Sequence, residues 1–471
     1  MGYAVAMLPL TAAVLHLLAC RSGDDPAPPA SSGDTAASFG FHRQVDLTVT
    51  PGVHAGNTFV LDWRPNPGLD LLVVFVDGER YEWSDPTPPL ALLGLPPGGE
   101  ATAQLTGTSA LSESLTFATD PVPEPLSGFT LEVSEDGAET PTGWVLMNTY
   151  RRDPRAGHIV IVDGKGRPVW WRDAEDLKPV RAHRSADGTA VTWAVTDWAL
   201  TEDLSVIGRT ALDGSEEVLR TAPGLHHDFY EANGQYRYLA FDVNPDIRFG
   251  LNDAFDAVSD VVRSVPVDAE EPVTDGFGFF DDYPFAPFLA CSHTQIPSFY
   301  PYGAEWTHSN SLVPAPDGGT YVNARYLDGL IKLDPTDTFS WQLGGRDGTF
   351  VPAEPDQAPL HGHFTHAFDD RVLMFDNQTH GDLPSRVMEL RLDEANHTYE
   401  AVWVHEEPDG GKVTYLGDAR RLPGGNTLID WSPRGELEEV TADHETVWRL
   451  DTPLVTGRVA FFDDLPFARS P

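Results

Sequence analysis

Histidine recurs in this chain just before a turn and a β-like run. The three segments that carry it are residues 225–229 with His226 and His227, residues 306–311 with His308, and residues 363–366 with His363 and His366. Neutral imidazole is the side chain best suited to exchange protons and charge near neutral pH. One such histidine alone is most simply a hydrogen-bonded turn or core residue. The shared position within a repeated unit predicts that several imidazoles meet in one pocket.

The elements that must position these histidines are short β-strands. Turn signals precede apolar strands at residues 233–240, 317–322 and 424–429, and other strands end in Trp. Helical periodicity is scarce beyond the N-terminus, which favours the all-β class. A repeat of about 40–60 residues built from such strands is typical of a propeller blade, and about six repeats fit. We therefore predict a six-bladed β-propeller over residues 138–471.

A propeller would also explain the placement of the histidines. The innermost strand of each blade lines a central channel, and the three segments fall at or just before that strand in three successive blades. The histidines should therefore converge at one mouth of the channel. Residues 244–306, rich in Asp, Phe and Pro, interrupt the repeat and are expected to be irregular and to cover one face.

A smaller β domain precedes the propeller. Residues 45–49 alternate at period two, and strand-like runs follow at residues 58–63 and 71–76, with Gly- and Pro-containing turns nearby. These features predict a β-sandwich over residues 39–125. Nothing in this part carries chemistry, so its expected role is packing or spacing.

The N-terminus predicts export with a lipid anchor. An apolar run over residues 4–18 is too short and too interrupted for a membrane-spanning helix. The Leu-Leu-Ala-Cys that ends at Cys20 resembles the lipobox of bacterial lipoprotein signal peptides, in which the chain is cut before an acylated Cys. The resemblance implies a signal peptide over residues 1–19 and a flexible tether over residues 20–38. We expect the protein in the bacterial cell envelope, on the periplasmic or cell-surface side.

The composition restricts the possible partners. A net charge of −41 argues against nucleic acid, because binders of nucleic acid gain affinity from Lys and Arg meeting phosphates. An anionic substrate would need a local cluster of positive groups, and Arg must supply most of it because lysine is rare. With Cys20 acylated, Cys291 is the only other cysteine, so no intrachain disulfide is expected.

Several motifs follow one another in a fixed order after residue 138. They are His226-His227-Asp228 with Asn233-Gly234, then Trp306-Thr307-His308-Ser309-Asn310-Ser311-Leu312 running to Arg325 and Trp341, then His366 with Phe375-Asp376-Asn377, and last Arg421-Leu422-Pro423-Gly424-Gly425-Asn426-Thr427-Leu428. With these motifs the chain resembles the bacterial arylsulfate sulfotransferases, which move sulfuryl between phenols without a nucleotide sulfate donor. The resemblance implies a six-bladed propeller, an exported location, small-molecule aryl sulfates and phenols as partners, and no cofactor.

The resemblance also implies site residues. By motif position, His366 matches the histidine that becomes sulfated, Arg325 the arginine, and His308 one of two assisting histidines. The other assisting histidine is His227 or its neighbour His226, and His227 is favoured. His363 lies three residues from His366 and competes for the same role. The expected substrate-binding residues are His226, Asn310 and Asn377.

The main alternative is a catalytically silent propeller that binds a ligand or a partner protein at the cell surface, since propellers host many unrelated functions. Water in place of the phenol would make the same site a sulfatase. A zinc site formed by His226, His308 and His366 with Asp228 is disfavoured because the neighbouring Arg would oppose a cation, so we expect no metal. No Gly-rich phosphate loop with Lys follows a strand, which disfavours a nucleotide donor.

The lipid anchor is tested by replacing the acylated residue. We expect Cys20→Ser to move the protein from the membrane fraction to the soluble fraction of a bacterial host, because the signal can then no longer receive a lipid. Asp34→Asn in the tether leaves the lipobox intact and should stay in the membrane fraction. A wild-type protein that is already fully soluble would refute the anchor.

Overall fold

The computed structural model of the protein describes residues 43–66, 68–107, 110–133, 143–198, 204–268, 273–288 and 303–466. Within these ranges the chain forms strands and short 3-10 turns, so the all-β prediction is confirmed. The turns are Glu124–Leu126, Leu251–Asp253, Arg325–Leu327 and Pro355–Gln357. The same ranges contain no helix long and apolar enough to cross a membrane. The predicted signal peptide, the tether, Cys20 and Cys291 lie outside the described residues.

The N-terminal strands form two sheets. The strands are β1 (Arg43–Val45), β2 (Leu47–Pro51), β3 (Phe59–Trp63), β4 (Leu71–Val76), β5 (Glu79–Ser84), β6 (Leu90–Leu92), β7 (Glu100–Thr106), β8 (Ala110–Ser112) and β9 (Leu115–Ala118). One sheet has the order β1-β8-β7-β4-β5 with β9 also on β7, and the other has the order β2-β3-β6. Burial alternates along β7, so Ala101, Ala103 and Leu105 pack in one core with Leu61 of the second sheet.

In the part of the chain that the structure describes, the remaining strands form six further sheets. The first two contain β11 (Trp144–Arg152), β12 (Arg155–Val162), β13 (Pro168–Asp173) and β36 (Val455–Phe462), then β14 (Lys178–Arg184), β15 (Ala190–Thr196), β16 (Val206–Ala211) and β17 (Glu217–Thr221). The next two contain β18 (Leu225–Ala232), β19 (Gln235–Phe249), β20 (Phe255–Pro266), β21 (Thr274–Gly278) and β22 (Ala304–Glu305), then β23 (Ser309–Pro314), β24 (Thr320–Ala324), β25 (Gly329–Leu333) and β26 (Phe339–Leu343). The last two contain β27 (Val351–Pro352), β28 (Gly362–Phe368), β29 (Arg371–Asp376), β30 (Arg386–Asp393) and β31 (Thr398–Glu406), then β10 (Thr130–Val133), β32 (Asp418–Arg421), β33 (Thr427–Asp430), β34 (Glu436–Val440) and β35 (Thr446–Asp451).

One strand from each of these six sheets belongs to an inner ring. β14, β18, β23, β28, β32 and β36 each contact the next in this order, and β36 contacts β14. The ring is closed by strands from the two ends of the region, because β36 pairs antiparallel with β11. This is the arrangement of blades around the channel of a propeller.

The stretch expected to be irregular is largely β-structure where it is described. β19 continues to Phe249, and β20 and β21 add the next strands of the third sheet. The sequence did not predict this extension because β19 becomes partly exposed beyond Phe241 and its residues there are mostly polar. Its pairing with β20 nevertheless continues to Phe249.

Buried carboxylates tie neighbouring inner strands together. Asp228 on β18 accepts the backbone N–H of Leu312 on β23 at 2.9 Å. Asp418 on β32 accepts the backbone N–H of Val459 on β36 at 2.9 Å. Each carboxylate thereby satisfies a backbone donor of the next sheet, so blade packing is specified by hydrogen bonds as well as by apolar contact.

Arg181 joins two of these carboxylates across the ring. Its side chain is fully buried, with Nε 3.3 Å from Asp228 Oδ1 and Nη1 3.2 Å from Asp418 Oδ2. The guanidinium thus connects β14 to β18 and to the non-adjacent β32. Removing one member of a buried ion pair leaves the other charge uncompensated, which is far more costly than losing a pair at the surface.

The ring is tested by Arg181→Met, which keeps an unbranched apolar stem and removes the charge. We expect the variant to lose about 1.5–3 kcal/mol of unfolding free energy, because Asp228 and Asp418 lose a charged hydrogen-bonding partner while Arg420 and Arg458 remain as nearby cations. Arg391→Met removes a pair whose members are both largely exposed and should cost no more than about 1 kcal/mol. Denaturant unfolding measures both, and equal losses would contradict the role given to Arg181.

Candidate active site at one mouth of the ring

Three histidines occupy the same place in three neighbouring sheets. His227 lies where the pairing of β18 shifts register between Leu225 and Phe229, and His363 lies where β28 shifts between Gly362 and Phe364. His308 immediately precedes β23, whose register shifts just beyond it. His227 and His308 have positive φ angles of 52° and 48°, a strained conformation that concentrates at functional sites.

This shared position brings the three imidazoles together. The ring centroid of His227 is 5.0 Å from that of His308 and 6.2 Å from that of His363. His226 lies beside them, 5.1 Å from His227. The structure therefore gathers His226, His227, His308 and His363 into one cluster at the end of the channel where the inner strands begin.

His366, the residue predicted as the nucleophile, is not brought to this cluster. It lies within β28, three residues beyond His363 and past the register shift between Gly362 and Phe364. Its ring meets Phe368 at 5.4 Å. Burial, followed by the charges of Arg420, Arg181 and others, lowers its pKa to about 3.

His363 has the tautomer that a nucleophile requires. Its Nδ1 lies 3.0 Å from the carbonyl oxygen of Gly417, and a carbonyl only accepts, so Nδ1 carries the proton and Nε2 keeps its lone pair. Burial and the positive charge of Arg458 hold the pKa of His363 well below its usual range, so the ring is neutral at neutral pH. At Gly417, φ is +100° and a Cβ would lie 2.4 Å from the ring of Phe375, so only glycine fits there.

His308 is oriented by a buried carboxylate. Its Nδ1 lies 2.6 Å from Glu305 Oε2, and only 2% of the Glu305 side chain is exposed. The ring stacks on Tyr326 at 4.7 Å. A carboxylate on one nitrogen fixes the tautomer and stabilises the imidazolium that forms when the other nitrogen takes a proton, as in the base–carboxylate pairs of hydrolases.

His227 is linked to a second buried carboxylate through His226. The Nδ1 atoms of the two rings are 2.9 Å apart, a distance at which they share one proton. Nε2 of His226 lies 3.2 Å from Asp260 Oδ1, which leaves Nε2 of His227 for another partner. Burial, then the neighbouring charge of His308, holds the pKa of His227 well below its usual range.

Arg325 lies next to His308 in the turn that follows β24. Its backbone N–H donates to the His308 carbonyl at 3.2 Å, and its Nη2 donates to the Thr414 carbonyl at 2.9 Å. Arg325 also lowers the pKa of His363 through its charge. The predicted arginine therefore belongs to the same site as His308 and His363.

The cavity beside the histidines is also lined by two cationic residues that the sequence analysis did not identify. Lys178 and Arg458 share its wall with His226, His227 and His363. Burial, aided by Arg152, lowers the pKa of Lys178 to about 8, and its Nζ lies 4.9 Å from the ring of Tyr150. The only sequence signal for Lys178 is the scarcity of lysine, and for Arg458 there is none.

Asn310 and Asn377, the amides expected to contact substrate, are hydrogen-bonded to backbone carbonyls in the structure. Both are fully buried, and neither is among the residues that line the cavity. Asn310 Nδ2 donates to the Gly362 carbonyl at 3.2 Å, and Asn377 Nδ2 donates to the Leu416 carbonyl at 3.0 Å. These amides hold the backbone beside His363 and beside its carbonyl partner.

Comparison with known proteins gives one family and distant structural relatives. The family model described as Arylsulfotransferase (ASST) matches residues 130–446. No curated protein matches the chain. A streptogramin B lyase is 9% identical over 73% of this chain and 92% of its own, with a TM-score of 0.36. A protein of unknown function from Bacteroides thetaiotaomicron is 12% identical over 90% of this chain and 100% of its own, with a TM-score of 0.36. Virginiamycin B lyase from Staphylococcus aureus is 9% identical over 87% of this chain and 99% of its own, with a TM-score of 0.31.

The low pKa of His366 predicts a pH effect on stability. Its pKa is about 3 in the folded chain against a usual 6.5, so between these values the unfolded chain binds a proton that the folded chain does not. Stability therefore falls as the pH falls below 6.5, by about 2 kcal/mol at about pH 5 for this one group. Denaturant unfolding should show that the unfolding free energy of the His366→Gln variant falls by about 2 kcal/mol less than that of wild type between about pH 7 and pH 5. An unchanged pH dependence would contradict the buried, neutral state of His366.

Proposed function

The chain belongs to the arylsulfotransferase family, and we propose that it transfers a sulfuryl group from an aryl sulfate to a phenol through a sulfated His363, without a nucleotide sulfate donor. The observation that carries this proposal is the geometry of His363. A backbone carbonyl holds its Nδ1 proton, and it shares one mouth of the ring with His227 and His308. The role that the sequence assigned to His366 passes to His363.

The first step is an in-line displacement at sulfur. Nε2 of His363 attacks, an N–S bond forms, and the S–O bond to the aryl group breaks with its electron pair on the departing phenolate. The sulfated ring is then an imidazolium that keeps its proton on Nδ1 and donates it to the Gly417 carbonyl. By analogy with phosphoryl transfer, such a step depends on positioning and on stabilising charge.

The positive groups of the site would hold the sulfuryl oxygens. Arg325 has the planar fork that matches two oxygens of one oxyanion, and Arg458 lines the cavity beside His363. The shared Nδ1 proton leaves a lone pair on Nε2 of His227, so Lys178 of the same cavity, and not His227, would donate to a third oxygen. The chain has a net charge of −41, so an anionic substrate requires local positive charge, and this cluster would supply it.

His308 would carry the proton between the two steps. As an imidazolium stabilised by Glu305, it protonates the departing phenolate, and as a neutral ring it then accepts the proton of the incoming phenol. The oxygen of that phenol attacks sulfur, the N–S bond breaks, and His363 returns to its neutral state. Over the cycle one proton moves from acceptor to donor phenol, and no water is consumed.

We further propose that the reaction takes place in the bacterial cell envelope, with the protein held by a lipid on Cys20. The support is the Leu-Leu-Ala-Cys sequence alone. The short tether that follows would leave the propeller in the aqueous compartment beside the membrane.

Steady-state kinetics with an aryl sulfate donor and a phenol acceptor test the two-step path. We expect parallel lines in double-reciprocal plots, because the first phenol leaves before the second binds. His363→Gln should abolish turnover, whereas the matched variant His366→Gln should keep most of it. Arg325→Lys keeps a charge but loses the fork, and we expect a fall in kcat of about tenfold to a thousandfold.

Two outcomes would contradict the proposal. Loss of turnover in His366→Gln, with normal turnover in His363→Gln, would return the nucleophile role to His366. Failure of the wild-type protein to turn over any aryl sulfate, combined with binding of aryl sulfates, would favour the silent ligand-binding propeller instead.

A further inference from the structure

A second polar cluster lies beside the site and takes no part in the chemistry above. It consists of Asp328, His361 and His380, each of which offers one ligand atom, and these atoms all lie within 4.8 Å of one another. We propose that the cluster binds a divalent transition-metal ion, with zinc the best match. The metal binding does not depend on the proposed function.

The backbone presents these three groups in constrained conformations. Asp328 ends the 3-10 turn Arg325–Leu327 with a φ of 50°, and His361 has a φ of 60° just before β28. Asp328 Oδ1 accepts the backbone N–H of His361 at 2.7 Å. His380 Nε2 lies 3.1 Å from Asp328 Oδ2, and the two imidazole rings are 4.0 Å apart. Positive φ at two of three members indicates that the turns are shaped to converge.

The donor set suits zinc better than calcium or magnesium. Two imidazoles and one carboxylate are typical protein ligands of zinc, which binds N and O at about 2.0–2.2 Å, whereas Ca²⁺ and Mg²⁺ prefer oxygen. Tetrahedral ligands at that distance are about 3.4 Å apart, so the groups would close by about 1 Å. His380 is exposed and can make that movement. The fourth position would be filled by water.

The charges around the cluster favour a cation. Asp328 raises the pKa of His380, and Asp376 adds to that effect, whereas burial and the charge of Arg325 oppose it. The carboxylate that stabilises a proton on His380 would stabilise a metal ion in its place.

The position of the cluster suggests what a metal would do there. Asp328 follows Arg325 by three residues, and His361 precedes His363 by two. Tyr326 stacks on His308 at 4.7 Å and meets His361 at 5.9 Å. A bound ion would therefore fasten the turn that carries Arg325 to the strand that carries His363. This positioning role, unlike the binding, rests on the proposed function.

Metal content and zinc titration test the binding. We expect purified full-length protein to hold one zinc ion per chain by elemental analysis, and chelator-treated protein to bind zinc again in calorimetry. His380→Ala should weaken zinc binding by about tenfold or more. Because His380 is exposed, we expect the variant to fold as wild type does. His54→Ala, an exposed histidine in the β-sandwich, is the matched control and should bind as wild type does. Failure of the protein to bind zinc, or unchanged binding in His380→Ala, would overturn the site.

Activity with and without zinc separates the two claims. If the ion positions the site, removing it should lower kcat for aryl sulfates and adding zinc back should restore it, with His380→Ala insensitive to added zinc. Zinc binding with no effect on kcat would overturn the positioning role. Zinc binding in a protein that turns over no aryl sulfate would support the metal site while contradicting the proposed function.

Discussion

The structure depends on guanidinium groups buried in the channel of a six-sheet ring. Arg181, Arg420 and Arg458 come from three different inner strands, and all lie over the ring of Phe364, at 5.4, 4.5 and 4.9 Å. Asp228 and Asp418 balance two of the three charges. Burial raises the pKa of Asp430 to about 8, so that carboxyl is neutral and contributes no further anion. An excess of positive charge therefore remains around Phe364, within a strongly acidic protein.

This excess connects the stability of the ring to the chemistry at its mouth. Phe364, over whose ring the three arginines lie, directly follows His363 in the sequence. The residue proposed to carry the sulfuryl group is therefore next to the buried cations. Burial, followed by the charge of Arg458, holds the pKa of His363 low and keeps its imidazole neutral, and Arg458 also provides charge for an anion. The net acidity of the chain and this local cluster of buried arginines are thus separate features, and only the cluster bears on the substrate.

The histidine segments and the strand repeat could be predicted from the sequence because both are local patterns. The choice between His363 and His366 could not, because it depends on a register shift at Gly362 that leaves no signature in the residue types. Arg458 could not be found either, because β36 reaches the site only through pairing with β11 at the other end of the region. The same closure explains why the predicted first unit, near residue 143, does not begin with an inner strand. Glu305 and Lys178 carry no motif and are recognised only from their contacts with His308 and with the cavity.

The most direct test is to locate the covalent sulfuryl group. The protein is incubated with an aryl sulfate and no phenol, then digested near neutral pH because imidazole N–sulfuryl bonds are acid-labile. No Lys or Arg lies between Arg346 and Arg371, so His361, His363 and His366 share one tryptic peptide and must be distinguished by fragmentation within it. We predict the mass of one sulfuryl group on His363 and none on His366. Sulfuryl on His366, or an unmodified peptide under conditions of rapid phenol release, would contradict covalent catalysis by His363.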